Sequence, residues 1–182
     1  MTAIEPAVFY YDLGNPECYL VAERINSALP MVPEWEPVAG HPPAEVDRDR
    51  VERRASELGL QRLRWPRRWP PDTHEAMLVA TYAKRVGRAV AFSLAAFRQA
   101  FAAGRDLGQT DTLLIAAAAC EMHPAAVLKG IDLRSVSDTL ASANERARAA
   151  GITTLPAVQI GSRVFSGEET INRAARALEG VG

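Results

Sequence analysis

The sequence predicts an α/β domain: a βαβ unit at the start and a ββα unit at the end share one sheet, and an all-helical subdomain is inserted between them. Three observations carry this. Ala7-Val-Phe-Tyr-Tyr11 is a short apolar and aromatic run followed directly by a capped helical pattern. From Thr73 to Ala150 the pattern is helical and Ala-rich. Two short strand-like runs then follow, separated by Gly161-Ser162, with an amphipathic segment behind them. The sheet domain is expected to take residues 1–72 and 150–182, and the helical insertion residues 73–149.

Each element has a local reason. Ala7 to Tyr11 reads as a buried strand because its apolar run is too short for a helix. Asp12-Leu-Gly14 turns the chain, and Asn15-Pro16 opens a helix to about Ser27. Asn is a strong N-cap, and Pro at the first helical position gives up an N–H that has no partner there. Trp35 to Val38 is the second strand, and Pro37 suits it to an edge. Gly40 to Pro43 is a loop, and Ala44 to Leu58 is a helix stopped by Gly59. Leu63 to Pro71 is interrupted by proline and reads as an ordered extended segment.

In the helical block, Thr73 starts a helix ending at Val86-Gly87. Arg88 to Ala103 carries Val90, Leu94, Phe97 and Phe101 at helical spacing and ends at Gly104. Thr110 or Asp111 caps a third helix ending near Met122. His123-Pro124 opens a short fourth to Lys129, and Ser135 or Ser137 caps a fifth, stopped by Gly151. Ala157 to Ile160 and Arg163 to Phe165 form a hairpin across Gly161-Ser162. Glu168 to Leu178 is the last helix, with Ile171, Ala174, Ala175 and Leu178 inward.

Composition narrows the function classes. The 182 residues are 48% hydrophobic and 24% charged, with a formal net charge of −1. That balance argues against an electrostatic nucleic-acid binder, and the mixed charges around Asp47 to Arg54 read as a solvated helix face. Two cysteines, Cys18 and Cys120, are too few for a disulfide scaffold or a zinc site. His41, His74 and His123 show no metal-ligand spacing, so no metal is expected. The longest apolar stretch, Thr112 to Cys120, is far below the ~20 residues of a membrane helix. Met1 to Pro6 has no basic region ahead of an apolar one, so no export signal is expected and the reading is cytoplasmic, with reduced thiols.

Four stretches carry a resemblance to a known family. They are Phe9-Tyr-Tyr-Asp-Leu-Gly14-Asn-Pro-Glu-Cys-Tyr-Leu20; Arg64-Trp-Pro; Phe97-Arg-Gln-Ala-Phe101 with Gly104-Arg-Asp-Leu107; and Gly151-Ile-Thr-Thr-Leu-Pro-Ala157 with Val164-Phe-Ser-Gly167. In order and spacing they resemble the DsbA-like thioredoxin-fold family. The nearest branch holds the 2-hydroxychromene-2-carboxylate isomerases and kappa-class glutathione transferases. The resemblance implies a thioredoxin-like sheet and a cis peptide before Pro156. It also implies a homodimer and a site at the N-terminus of the first helix, where the helix dipole stabilises a thiolate.

Redox members of this family carry Cys-x-x-Cys at that place, whereas this chain reads Asn15-Pro-Glu-Cys18. A dithiol cycle needs two thiols in reach. The isomerase branch has Ser in place of the first Cys, and the matching Asn15 offers an amide donor to a thiolate. The resemblance therefore implies glutathione or another low-molecular-weight thiol as cofactor. Asn15 would stabilise its sulfur, Leu155 and Pro156 would hold its backbone, and Glu169 would contact its amino end. Tyr11, Trp65 and Phe92 would line an apolar pocket for a small aromatic-type substrate. Two further readings stay open: a single-cysteine redox protein using Cys18, and a thioredoxin-like binding protein without chemistry.

Overall fold

The computed structural model describes residues 6–40, 42–167 and 169–179. The readings placed on Met1 to Glu5, on His41 and on Glu168 as the first residue of the last helix lie outside these.

The sheet contains β1 (Ala7–Tyr11), β2 (Glu34–Pro37), β3 (Ala157–Ile160) and β4 (Arg163–Ser166), in spatial order β2-β1-β3-β4. β1 pairs parallel to β2 and antiparallel to β3, with Phe9 opposite Trp35 on one side and Val158 on the other. β2 is an edge strand, where Pro37 removes no inward ladder bond. β3 and β4 form the expected hairpin, with Gly161 at a φ of 56°.

The helices are α1 (Pro16–Ala28), α2 (Arg48–Glu57), α3 (His74–Arg85), α4 (Ala89–Phe101), α5 (Thr110–Ala118), α6 (Pro124–Ile131), α7 (Arg134–Ala149) and α8 (Thr170–Glu179). α3 to α7 follow one another between α2 and β3. Strand alternation decides which helix covers which face. Phe9 and Tyr11 point into the main core with Ile25 of α1, Phe97 of α4 and Ile171 of α8. Tyr10 and Ala157 point the other way, onto Ala143 and Ala147 of α7. Most of the helical block thus shares the larger core with one face of the sheet, while α7 and the other face enclose a second, smaller one.

Some boundaries differ from the sequence reading. α2 starts at Arg48, not Ala44, because Asp47 is the cap: its Oδ1 accepts the Arg50 N–H at 3.0 Å. α5 stops at Ala118, short of Met122, because Glu121 adopts a left-handed φ of 61° and the Met122 N–H returns to the Ala117 carbonyl. α7 begins at Arg134, so neither Ser135 nor Ser137 caps it.

Candidate functional site

The end of β1 delivers Asp12 to the start of α1. Asp12 is buried, and its carboxylate is a junction. Oδ1 accepts the Gly14 N–H at 2.8 Å and the Thr73 hydroxyl at 3.3 Å, while Oδ2 accepts the Gly40 N–H at 2.9 Å. One side chain therefore ties together the turn before α1, the segment after β2 and the start of α3. Sequence reasoning treated Asp12 only as part of a turn. An acid between an apolar strand and a glycine was the available signal.

Asn15 follows as the N-cap of α1, with extended backbone (φ −98°, ψ 116°). Its Oδ1 accepts the Glu17 N–H at 2.9 Å, and its Nδ2 donates to the Leu155 carbonyl at 3.3 Å. The Glu17 N–H needs an acceptor, so it determines which end of the amide is oxygen. The second Nδ2 hydrogen remains for a ligand. Leu155 precedes Pro156 across a cis peptide. Gly40 sits beneath this loop: a Cβ there would meet Leu155 Cδ1 at 2.3 Å.

Around Asn15 opens a cleft of about 760 Å³. Its walls come from the start of α1, Val38 to Gly40, Pro43 to Arg50, α7, and the loop from Ile152 to Leu155. The α7 wall is held from outside the cleft. Glu36 of β2 is buried and accepts from Lys84 at 2.7 Å and from Arg146 at 3.1 Å, while the Ala39 N–H donates to Asn144 Oδ1 at 2.9 Å. On the α1 side, Glu17 is ion-paired with Arg50. This pairing offsets a carboxylate that would otherwise oppose an anion at the helix N-terminus.

The predicted site residues divide. Asn15 and Leu155 meet at the cleft. Pro156 is buried and does not border this cleft. Tyr11 is fully buried, its hydroxyl hydrogen-bonded to Ser93 Oγ at 2.6 Å, and burial raises its pKa. Phe92 is likewise fully buried in the core. Neither can line a substrate pocket, because the helical block packs onto the sheet where that pocket was expected. Trp65 is half-buried away from the cleft, its Nε1 donating to Glu52 at 2.7 Å and Arg48 stacked on its ring at 4.9 Å.

Glu169 is exposed at the start of α8, accepts from Asn172 at 2.8 Å, and does not border the cleft. Cys18 is fully buried one turn into α1, and burial raises its thiol well above the ordinary value. It is not an exposed thiolate. Cys120 is also buried and free, its thiol donating to the Ala116 and Ala117 carbonyls.

Sequence and structure comparisons agree with this architecture. The model of the DSBA-like thioredoxin domain family matches residues 7–179. The chain belongs to that family. No curated protein matches it. Among solved structures it is similar to a 2-hydroxychromene-2-carboxylate isomerase, with TM-score 0.85 and 12% identity over 96% of this chain and 95% of that one. It is also similar to a probable DsbA oxidoreductase from Streptomyces coelicolor, with TM-score 0.79 and 18% identity over 97% and 89%. A third is the cytosolic disulfide reductase DsbM from Pseudomonas aeruginosa with GSH, with TM-score 0.71 and 13% identity over 97% and 98%. The family includes isomerases and oxidoreductases, and these likenesses define the fold.

Among the described residues no helix is long and apolar enough to cross a membrane.

Proposed function

We propose that this chain binds a low-molecular-weight thiol such as glutathione at Asn15 and uses it in an isomerase or transferase reaction on a small aromatic-type substrate. The observation that carries this reading is the Asn15 amide. It caps α1, touches the loop before the cis-proline, and keeps one N–H for the cleft. A thiolate there meets a neutral donor and the positive end of a helix, both of which favour the charged form.

The residues fit such a ligand. The cleft volume lies within the ~300–1,000 Å³ of small-molecule sites. Its lining mixes apolar side chains with the polar Asn15, Asn144, Arg148, Thr153 and Thr154. When bound, the thiol supplies a nucleophilic sulfur that can add reversibly to a conjugated double bond. Asn15 and the helix start would hold the anion, the Leu155 loop would orient the ligand backbone, and the Arg50–Glu17 pair would keep the local charge near neutral.

A disulfide-exchange role is less well supported by the cysteines. Position 15 has no sulfur, and Cys18 is buried as a neutral thiol. A glutathione-dependent assay separates the readings. Isomerisation of a conjugated aromatic enone is expected to depend on added glutathione, followed by ultraviolet absorbance. Insulin disulfide reduction by glutathione is expected to run at the uncatalysed rate. Catalysed insulin reduction with no isomerisation or glutathione transfer would reject the proposal.

A further inference from the structure

The loss of Glu169 from the site leaves open which residues take the charged ends of a thiol ligand. The walls of the cleft carry five charged side chains among the described residues: Glu17, Glu45, Asp47, Arg50 and Arg148. Arg50 is ion-paired to Glu17, and Asp47 is engaged in capping α2. Arg148 is exposed, and no carboxylate among the described residues pairs with it. It sits one helical turn after Asn144 on α7, so both lie on the same face. The Asn144 Oδ1 already accepts from the Ala39 N–H, so its NH₂ group is the end left for the cleft.

Arg148 and Asn144 together therefore offer only donors. The segment leading into α2 offers the opposite chemistry, with Glu45 and Asp47. A cleft with donors on one element and acids on another matches a ligand carrying both a carboxylate and an ammonium.

Resting on the thiol-binding reading above, we infer that α7 supplies the carboxylate anchor of the site. Arg148 and Asn144 grip a carboxylate of a zwitterionic thiol whose sulfur lies at Asn15. An Arg–carboxylate contact can be bidentate, which fixes the ligand's direction as well as its affinity. Arg148 is a binding residue here and has no part in the bond-making step.

The test is calorimetry with three probes: glutathione, S-methylglutathione, and the glutathione diethyl ester. The first has thiol and carboxylates, the second lacks the thiol, and the third lacks the carboxylate charges. Wild type is expected to bind glutathione at least tenfold more tightly than the ester. Arg148→Gln should lose about tenfold toward glutathione and S-methylglutathione and nothing toward the ester. Arg148→Lys should recover part of the loss. Arg148 is exposed, so these variants should fold, and circular dichroism checks this.

If Arg148→Gln binds glutathione like wild type, or weakens ester and acid equally, the anchor is overturned while thiol binding stands. If wild type binds glutathione and S-methylglutathione equally, but Arg148→Gln weakens both, the anchor stands and the thiolate reading fails. If wild type binds none of the three at millimolar concentration, both fail.

Discussion

The Asn15 side chain donates to the Leu155 carbonyl at 3.3 Å, joining the start of α1 to the loop before the cis-proline across 140 positions of sequence. The same amide accepts from the Glu17 N–H two residues on. A serine hydroxyl is too short to cap the helix through its oxygen while also spanning to that loop. Asn15 thus combines a local role and a long-range one. A sequence motif that compares only residue types at the helix start would register the capping role alone.

Replacing Asn15 separates structure from binding. Asn15→Asp keeps the size and the capping oxygen, and a negative charge suits a helix N-terminus. The carboxylate cannot donate to the Leu155 carbonyl and opposes it, so stability should fall by about 1–3 kcal/mol, and a carboxylate also repels a thiolate and removes its donor. Glutathione affinity should fall more than tenfold, read by calorimetry beside a thermal melt. Asn15→Ser should keep binding within a few-fold. Unchanged binding by Asn15→Asp would show that no thiolate sits there.

The sheet was legible because each strand carries its own signal: the aromatic run Ala7 to Tyr11 and the Gly161-Ser162 link between β3 and β4. The helix start at Asn15 was legible for the same local reason. What could not be read was which face of each element meets which other. Tyr11 and Phe92 have the chemistry of pocket walls, but α4 closes over β1 and buries both. The charged segment before α2 looked helical from its composition, and only the Asp47 cap sets its start at Arg48 and leaves Pro43 to Asp47 to border the cleft. Asp12 and Asn144 act through partners 28 and 105 positions away, which no local pattern encodes.

Cys18 should be inert in the folded chain. Burial raises its thiol above the ordinary value of 9.0, and burial also raises Cys120 and Tyr11. Each group holds its proton more tightly folded than unfolded. Their contribution is therefore fully present below the unfolded values and is lost as pH rises past them. Urea midpoints should be flat near neutrality and decline from about pH 9 upward. Cys18→Ala should make that decline shallower. At neutral pH, iodoacetamide should label the native protein far more slowly than the unfolded protein. Labelling of Cys18 at the rate of a free exposed thiol would contradict its burial.

Tyr11→Phe should cost stability and leave ligand binding alone. The Tyr11 hydroxyl and Ser93 Oγ are each other's partners at 2.6 Å in a fully buried setting. Removing one strands the other, at about 1–3 kcal/mol. Ser93→Ala should cost a similar amount, and the double variant less than the sum. Urea denaturation measures all three. A large loss of glutathione affinity in Tyr11→Phe at full stability would return Tyr11 to the site.

Glu36 should matter more than any exposed ion pair, through both stability and the cleft. Its side chain is 7% exposed and takes Lys84 at 2.7 Å and Arg146 at 3.1 Å, so β2, α3 and α7 meet at one carboxylate. Breaking a fully buried pair costs about 3–5 kcal/mol. Here the cost should be lower, about 1–3 kcal/mol for Glu36→Gln, because Lys84 keeps Glu34 at 2.6 Å and Arg146 is 55% exposed and can turn to water. The comparison is Arg134 with Asp138 at 3.7 Å, where both side chains are well exposed. Asp138→Asn should shift stability by less than about 0.5 kcal/mol and lose even that in salt. The two variants also differ in reach. Arg146 lies between Asn144 and Arg148 on α7, so freeing it loosens the wall that borders the cleft. Glu36→Gln should therefore weaken glutathione binding several-fold while Asp138→Asn leaves it unchanged. Urea denaturation at low and high salt, with calorimetry on both variants, reads the two effects separately. Equal stability losses in the two variants would show that the Glu36 cluster behaves as a surface pair and does not hold α7 to the sheet.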